Sequence, residues 1–305
     1  MLTIATITDK ARKTLQDTPN IFQIALIPVL ISVSVQLFSS TRQSILEVYL
    51  SQDGSNLHFS YLLSSILFPI FYGLLMSLLY LSITWALFKG IKQGANEYRV
   101  SSSLAIFQHE HFKKIFFTFI LKRILLFLWG LIFYIGLVCF LGSIIYLSSF
   151  LPSQGSVTEV QIPYDILSVT GMLFFIGFLL MIIGLIIYLP QIYAYSQVET
   201  VLFDQLTTND YRNPLSTIKY SRNLMKGYKM KRFLLDLHFI GWFLLSTITF
   251  GIVGIYVLPY YHAAQIHFYI ALLEDQHYSF STKQIGSIIS VVGKSAVEIM
   301  EPFLV

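Results

Sequence analysis

"SRNLMKGYKMKRFLLDLHFIGW", residues 221–242, decides how this chain is read. Arg222, Lys226, Lys229, Lys231 and Arg232 crowd its first half, and the chain then turns apolar at once. Asp236 and His238 travel with the apolar run. A basic cluster abutting an oily segment is the sequence form of a helix that enters a bilayer from the side where Lys and Arg collect. The question is whether the rest of the chain supplies a bilayer protein around it.

Composition does. Of 305 residues, 55% are hydrophobic and only 12% are charged, and mean hydropathy is +0.68. Soluble domains carry about 25% charged residues, so the polar surface needed in water is missing. A net charge of +4 is too small to point to nucleic acid. One cysteine, Cys139, forms neither an internal disulfide nor a Cys-based zinc site, and it reads as packing.

Crossing the hydrocarbon core takes about 20 helical residues. Six segments qualify: 21–38, 59–88, 124–150, 166–188, 233–248 and 252–273. The last two come from one apolar run, divided at Thr249-Phe250-Gly251, where a tight turn fits. Pro190 is expected to kink or end the fourth. The expectation is an all-α, six-helix bundle over residues 1–278, with short amphipathic interfacial helices on the cytoplasmic side. A C-terminal tail, 279–305, is expected on that side too, as a further interfacial helix.

Charge placement orients the bundle. With both termini inside, the outer loops hold Arg42 as their only cation and four acids, Glu47, Asp53, Glu159 and Asp165. The other nineteen Lys and Arg lie inside, the asymmetry that membrane insertion favours. Lys10, Arg12 and Lys13 before the first span resemble the start of a signal peptide. The apolar run is longer than such a peptide needs, and no A-x-A-like cleavage site follows. The segment therefore reads as a signal anchor that stays.

On the inner face, Lys122 and Arg123 read as an interfacial turn before the third span, their heads snorkelling to water. Asn213-Pro214 is a good helix start. From it Leu215, Ile218, Leu224, Met225 and Tyr228 form the apolar face of a short basic helix suited to lie on the inner leaflet, stopped at Gly227. The basic cluster Lys226, Lys229, Lys231 and Arg232 then faces anionic headgroups, each cation worth on the order of 1 kcal/mol near the surface.

Chemistry is sparse. Asp236 lies about one turn inside the boundary, within reach of Lys or Arg side chains, and with His238 forms the one candidate polar site. Asp236 reads either as a structural ion pair or helix-packing hydrogen bond, or as part of a site open to an inner cavity. His109-Glu110-His111 holds zinc-type ligands, but alternate residues of a helix diverge, and solvated loop residues are the plainer reading. His262 and His267, five apart, do not share a helix face and suit a core or a cavity wall. Tyr188, Tyr193 and Tyr195 suit an interfacial belt. Gly171, Gly177 and Gly184 permit close helix approach. No catalytic motif, metal site or cofactor is implied.

Residues 220–273 also resemble a family signature. Ser221, Leu224, Met225, Gly227 and Lys229 are followed by Leu235, Leu237, Phe239, Ile240, Gly241 and Trp242. Thr249, Gly251, Ile252, Pro259, Tyr260, Phe268 and Tyr269 complete the pattern. It is similar to that of the DUF975 integral membrane proteins, found mostly in Gram-positive bacteria. His238 departs from it, since the family usually has Ser there. A more distant resemblance is to the membrane domain of some bacterial glycerophosphodiesterases, whose soluble catalytic domain is absent here. The resemblance implies a plasma-membrane protein and no assigned activity.

The function expected from all this is a non-enzymatic accessory, scaffold or sensor acting through contacts at the inner leaflet. Its partners would be membrane lipids, through anionic headgroups, and a membrane protein or a second copy of the chain. The alternatives are a transporter or permease component, for which Pro28, Pro69, Pro190 and Pro259 would break helices around a midplane site, and a lipid-handling enzyme.

Overall fold

The computed structural model describes residues 3–18, 20–38, 59–94, 97–150 and 163–276, with backbone alone over 59–66. Arg42, Glu47, Asp53, Glu159 and the tail 279–305 lie outside the described residues. Every regular element among the described residues is helical. In chain order these are α1 (Ile4–Asp17), α2 (Ile21–Phe38, opening with a 3-10 turn), α3 (Phe59–Gln93), a short 3-10 helix (Val100–Leu104), α4 (Phe112–Ser148), α5 (Tyr164–Ala194), α6 (Val198–Thr207), α7 (Pro214–Leu224), α8 (Lys229–Ile248) and α9 (254–276).

Four helical segments are long and apolar enough to cross a membrane: Ile21–Phe38, Leu67–Gln93, Phe112–Ser148 and Tyr164–Thr207. The segments expected as spans five and six fall short of that mark for different reasons. In α8, Lys229, Lys231, Arg232 and Asp236 all lie in the first two turns. In α9, Tyr256, Tyr260, Tyr261, His262, Gln265 and His267 dilute the apolar content.

The chain divides into two compact units, Met1–Glu110 with Lys231–Val305, and His111–Met230. The first unit buries Ile7 and Ala11 of α1, Ile21, Ile24 and Ala25 of α2, Leu79, Ile83 and Leu87 of α3, Leu235 and Phe239 of α8, and Ala263, Ile266 and Phe268 of α9. Helix α1 is an element that sequence reading did not separate from the start of a signal anchor. Its Ile7, Ala11 and Leu15 stripe is buried, while Lys10, Arg12 and Lys13 are exposed.

The turn between α8 and α9 is built by backbone capping. Gly251 N–H donates to Ser246 O at 2.7 Å and Phe250 N–H to Thr247 O at 3.2 Å, the paired bonds that close a helix end when the next residue turns left-handed. Phe250 has φ 53° and Gly251 φ 87°. Only the second is conformationally cheap.

In the second unit α4 and α5 pack as an antiparallel pair along their length. Their contact depends on missing side chains. A Cβ at Gly177 would sit 2.6 Å from Phe140 N, and one at Gly136 or Gly184 would collide with Met181 or Phe133 backbone. Gly171, which shares their spacing, has nothing within 4 Å of its Cβ position, so the close approach ends before it. Helix α5 continues through Pro190 to Ala194 rather than stopping there. Lys122 and Arg123 mark no turn, since α4 runs unbroken past them. Lys122 is held by Glu199 of α6, Nζ to Oε1 2.6 Å.

Helix α7 starts as its sequence suggests. Asn213 Oδ1 accepts from Ser216 N at 2.7 Å, with Pro214 at the first helical position. Its apolar face does not lie free for lipid, however. Ile218 packs with Ala194, Tyr195 and Val198, and Leu224 and Met225 are buried, whereas Leu215 is exposed. The face that looked membrane-facing is protein-facing.

Gly184→Val should cost about 3 kcal/mol, because backbone, which cannot step aside, blocks the new side chain. Gly171→Val should change stability by less than about 0.5 kcal/mol, as at an open surface site. Thermal unfolding of the two detergent-purified variants checks the contrast.

Candidate functional site

Arg232 is the residue whose placement departs most from expectation. The basic cluster was expected to face headgroups, and Lys226 is indeed exposed, but Arg232 is 3% exposed. Its guanidinium lies over the rings of Tyr261 and Phe268, 5.7 and 5.9 Å from their centroids. Such stacking suits a weakly hydrated planar cation.

Asp236 closes the arrangement. Its Oδ1 is 2.9 Å from Arg232 Nη1 and accepts from the Tyr261 hydroxyl at 2.9 Å. Arg232 Nη2 donates to the same hydroxyl at 3.3 Å. Nη1 meets Asp236 as an ion pair without an aligned hydrogen bond, and Nε has no hydrogen-bond partner among the described residues. A cation in the first turn opposes the helix dipole, and α8 has no acid in that turn. Arg before Asp at four residues is also the weaker order for a helical pair. The pair therefore serves the α8–α9 contact rather than α8 itself.

His238 takes no part. It is exposed, two residues from Asp236 and so on another side of the helix. Asp236 and His238 are not brought together: Asp236 meets Arg232, one of the cations within its reach, and Tyr261, which sequence reading missed.

The other histidines join helices. His262 Nδ1 lies 2.9 Å from Thr84 Oγ1 of α3, and His267 Nε2 lies 2.8 Å from Thr14 Oγ1 of α1. Each Thr hydroxyl is also placed to donate to its own helix, Thr84 to Tyr80 O at 2.9 Å and Thr14 to Lys10 O at 3.0 Å. A hydroxyl has one proton, so each Thr serves its own helix and the imidazole together, donating to one and accepting or sharing with the other according to the His tautomer. Phe22 of α2 stacks on Tyr256, 5.8 Å between centroids. Helix α9 thus meets α1, α2, α3 and α8.

His109 lies edge-on to Trp85 at 4.7 Å, and His111 immediately precedes the first residue of α4. No cluster of three metal-type ligands occurs among the described residues. Burial pushes the Tyr98 phenol up to about 12, which keeps it neutral.

The remaining signature residues carry structural roles. Ser221 Oγ donates to Ala194 O at 3.1 Å, satisfying a carbonyl at the buried end of α5 that has no partner in its own helix. Gly227 takes φ 82° between α7 and α8, and Lys229 opens α8. Phe239, with Tyr260 at 4.8 Å and Tyr261 at 5.2 Å, forms the centre of the α8–α9 aromatic contact. Trp242 meets Tyr256 at 5.5 Å. Thr249 Oγ1 donates to Leu245 O at 2.9 Å at the end of α8, before the Gly251 turn. Pro259 and Tyr269 are buried, but Ile240 and Gly241 are exposed.

The family described as protein of unknown function, DUF975, matches residues 1–276. The chain belongs to the DUF975 family. No curated protein and no solved structure matches it. In this DUF975 chain Ser221, Gly227, Phe239, Trp242, Thr249 and Gly251 serve helix ends, turns and ring contacts.

Asp236→Ala should cost about 3–5 kcal/mol, because it strands a buried guanidinium. The double variant Arg232→Met/Asp236→Ala should recover most of that loss. Denaturation of the three proteins in one detergent measures the coupling.

Proposed function

We propose that this chain is a six-span protein of the cell membrane, both termini cytoplasmic, that acts through lipid and protein contacts at the inner leaflet without catalysing a reaction. The observation that carries the reading is where the ionisable groups go. Arg232 with Asp236 and Tyr261, His262 with Thr84, His267 with Thr14, and Lys122 with Glu199 are all engaged between helices. Lys219, Arg222 and Lys226 in one unit, and Lys10, Arg12 and Lys13 in the other, are left exposed, and in these two clusters cations outnumber the exposed acids Asp210, Asp9 and Asp17.

The count of six rests on length. At 1.5 Å per residue, helices of about 20 residues reach the roughly 30 Å of a hydrocarbon core. Helix α8 has 20, and α9 spans 254–276. Their polar side chains turn to one another and to α1 and α3, which lowers the cost of placing them in lipid. No cofactor or nucleic acid enters this reading. The buried Ser82, Thr84, Arg232 and His262 are what favours the second reading, a transporter component. A third reading is a lipid-handling enzyme.

Native mass spectrometry of protein from vesicles of mixed phosphatidylglycerol and phosphatidylcholine tests the first reading. Anionic lipid should be retained preferentially. Reversing Lys219, Arg222 and Lys226 to Glu should weaken retention by about 3 kcal/mol, or roughly a hundredfold, at about 1 kcal/mol per cation. Equal retention of both lipids, or solute uptake or lipid turnover by the reconstituted protein, would count against it.

A further inference from the structure

Helices α4 and α5 separate at one end, and the gap has a defined shape. Ser143, Ile144, Leu147 and Ser148 of α4 face Leu167, Thr170, Gly171 and Phe174 of α5 across a cavity of about 280 Å³. The α4 residues fall on one face of that helix and the α5 residues on one face of theirs. Phe140 and Phe174, with centroids 4.7 Å apart, close the floor. Beyond them Gly177 and Gly184 clasp α4, and the two backbones touch. The gap therefore begins where the glycine spacing continues at Gly171 but the opposing helix has moved away.

We propose that this crevice holds one acyl chain of a membrane lipid. The walls choose the chemistry. Ser143 donates to Phe140 O, Ser148 to Ile145 O and Thr170 to Ile166 O, each at 2.7 Å. Every hydroxyl proton at the rim is thus committed to its own helix, and the remaining lining is hydrocarbon and one ring. An enclosed cavity of about 150 Å³ with apolar walls stays dry and takes benzene, whereas this space is open on one side. This one has nearly twice that room, which suits a flexible chain rather than a single small ring.

Depth points to a lipid as the source of the chain. The last cation of α4, Arg123, is twenty residues before Ser143, about 30 Å along the helix. That is the thickness of the hydrocarbon core. The inner end of the cavity, at Phe140 and Ser143, therefore stands at the edge of the hydrocarbon opposite the cations, and its rim at Ser148, about 8 Å farther along α4, stands in the interfacial zone where the ester end of a lipid lies. The proposal rests on α4 and α5 crossing the bilayer, and on no other part of the functional reading.

The test uses the full chain in vesicles of phosphatidylglycerol and phosphatidylcholine doped with a phospholipid bearing a mid-chain diazirine. After irradiation, labelled peptides are mapped by mass spectrometry. The lining residues Ile144, Leu147, Leu167, Thr170 and Phe174 should carry at least fivefold more label per residue than Val138 and Ile186, which are more exposed at 70% and 67%. Gly171→Phe, whose ring enters open space, should remove the excess while Val138 and Ile186 keep their label. Leu167→Trp, at the exposed rim, is a second blocking variant should the first fold poorly. Label spread evenly along both helices, annular lipid only, overturns the proposal, as does an excess that both folded variants leave unchanged. Label absent from the whole of α4 and α5 overturns the membrane reading with it.

Discussion

Charge is excluded from the middle of every long helix in this chain, and the rest of the structure follows from that constraint. Lys89 and Lys92 lie in the last turns of α3, while Lys113, Lys114, Lys122 and Arg123 fall in the first third of α4. Helix α5 carries only Asp165, at its start. Helix α8 has its four charges in its first two turns, and α9 has Glu274 and Asp275 in its last. Between these ends run segments that satisfy their backbone hydrogen bonds internally and offer hydrocarbon outward, as a bilayer requires of a helix.

Where a charge must lie close to the apolar zone, it is met by a partner from another part of the fold. Lys122 draws Glu199 down from α6. Arg232 is wrapped by Tyr261 and Phe268 and neutralised by Asp236. The same logic governs the ends of helices. Ser221 serves a buried carbonyl of α5, and the left-handed Phe250 and Gly251 satisfy the last carbonyls of α8. Motif residues that look like a site in one dimension are, for the most part, joints in three.

This also explains what could and could not be read in advance. The apolar helices, the Asn213-Pro214 start and the turn at Thr249-Phe250-Gly251 are local features, written in composition and spacing. The burial of Arg232 is not local, because Tyr261 and Phe268 lie some thirty residues downstream. The unbroken passage of α4 through Lys122 depends on Glu199, farther still. Helices α1 and α6 were missed because their apolar faces are short and complete only against protein. Asp236 and His238, in contrast, were separable from the start, since a spacing of two on a helix points side chains apart. The membrane-facing reading of α7 failed for a similar reason. An amphipathic face states that something apolar covers it and leaves open whether that is lipid or protein.

The proposed topology requires cations sorted to one side of a bilayer. Single cysteines placed at Asp53, Lys92, Glu159 and Lys226, in a Cys139→Ala background, can be labelled with a membrane-impermeant maleimide in intact and permeabilised cells. The account predicts that positions 53 and 159 react in intact cells and that 92 and 226 react only after permeabilisation. Labelling of position 226 from outside intact cells would contradict it.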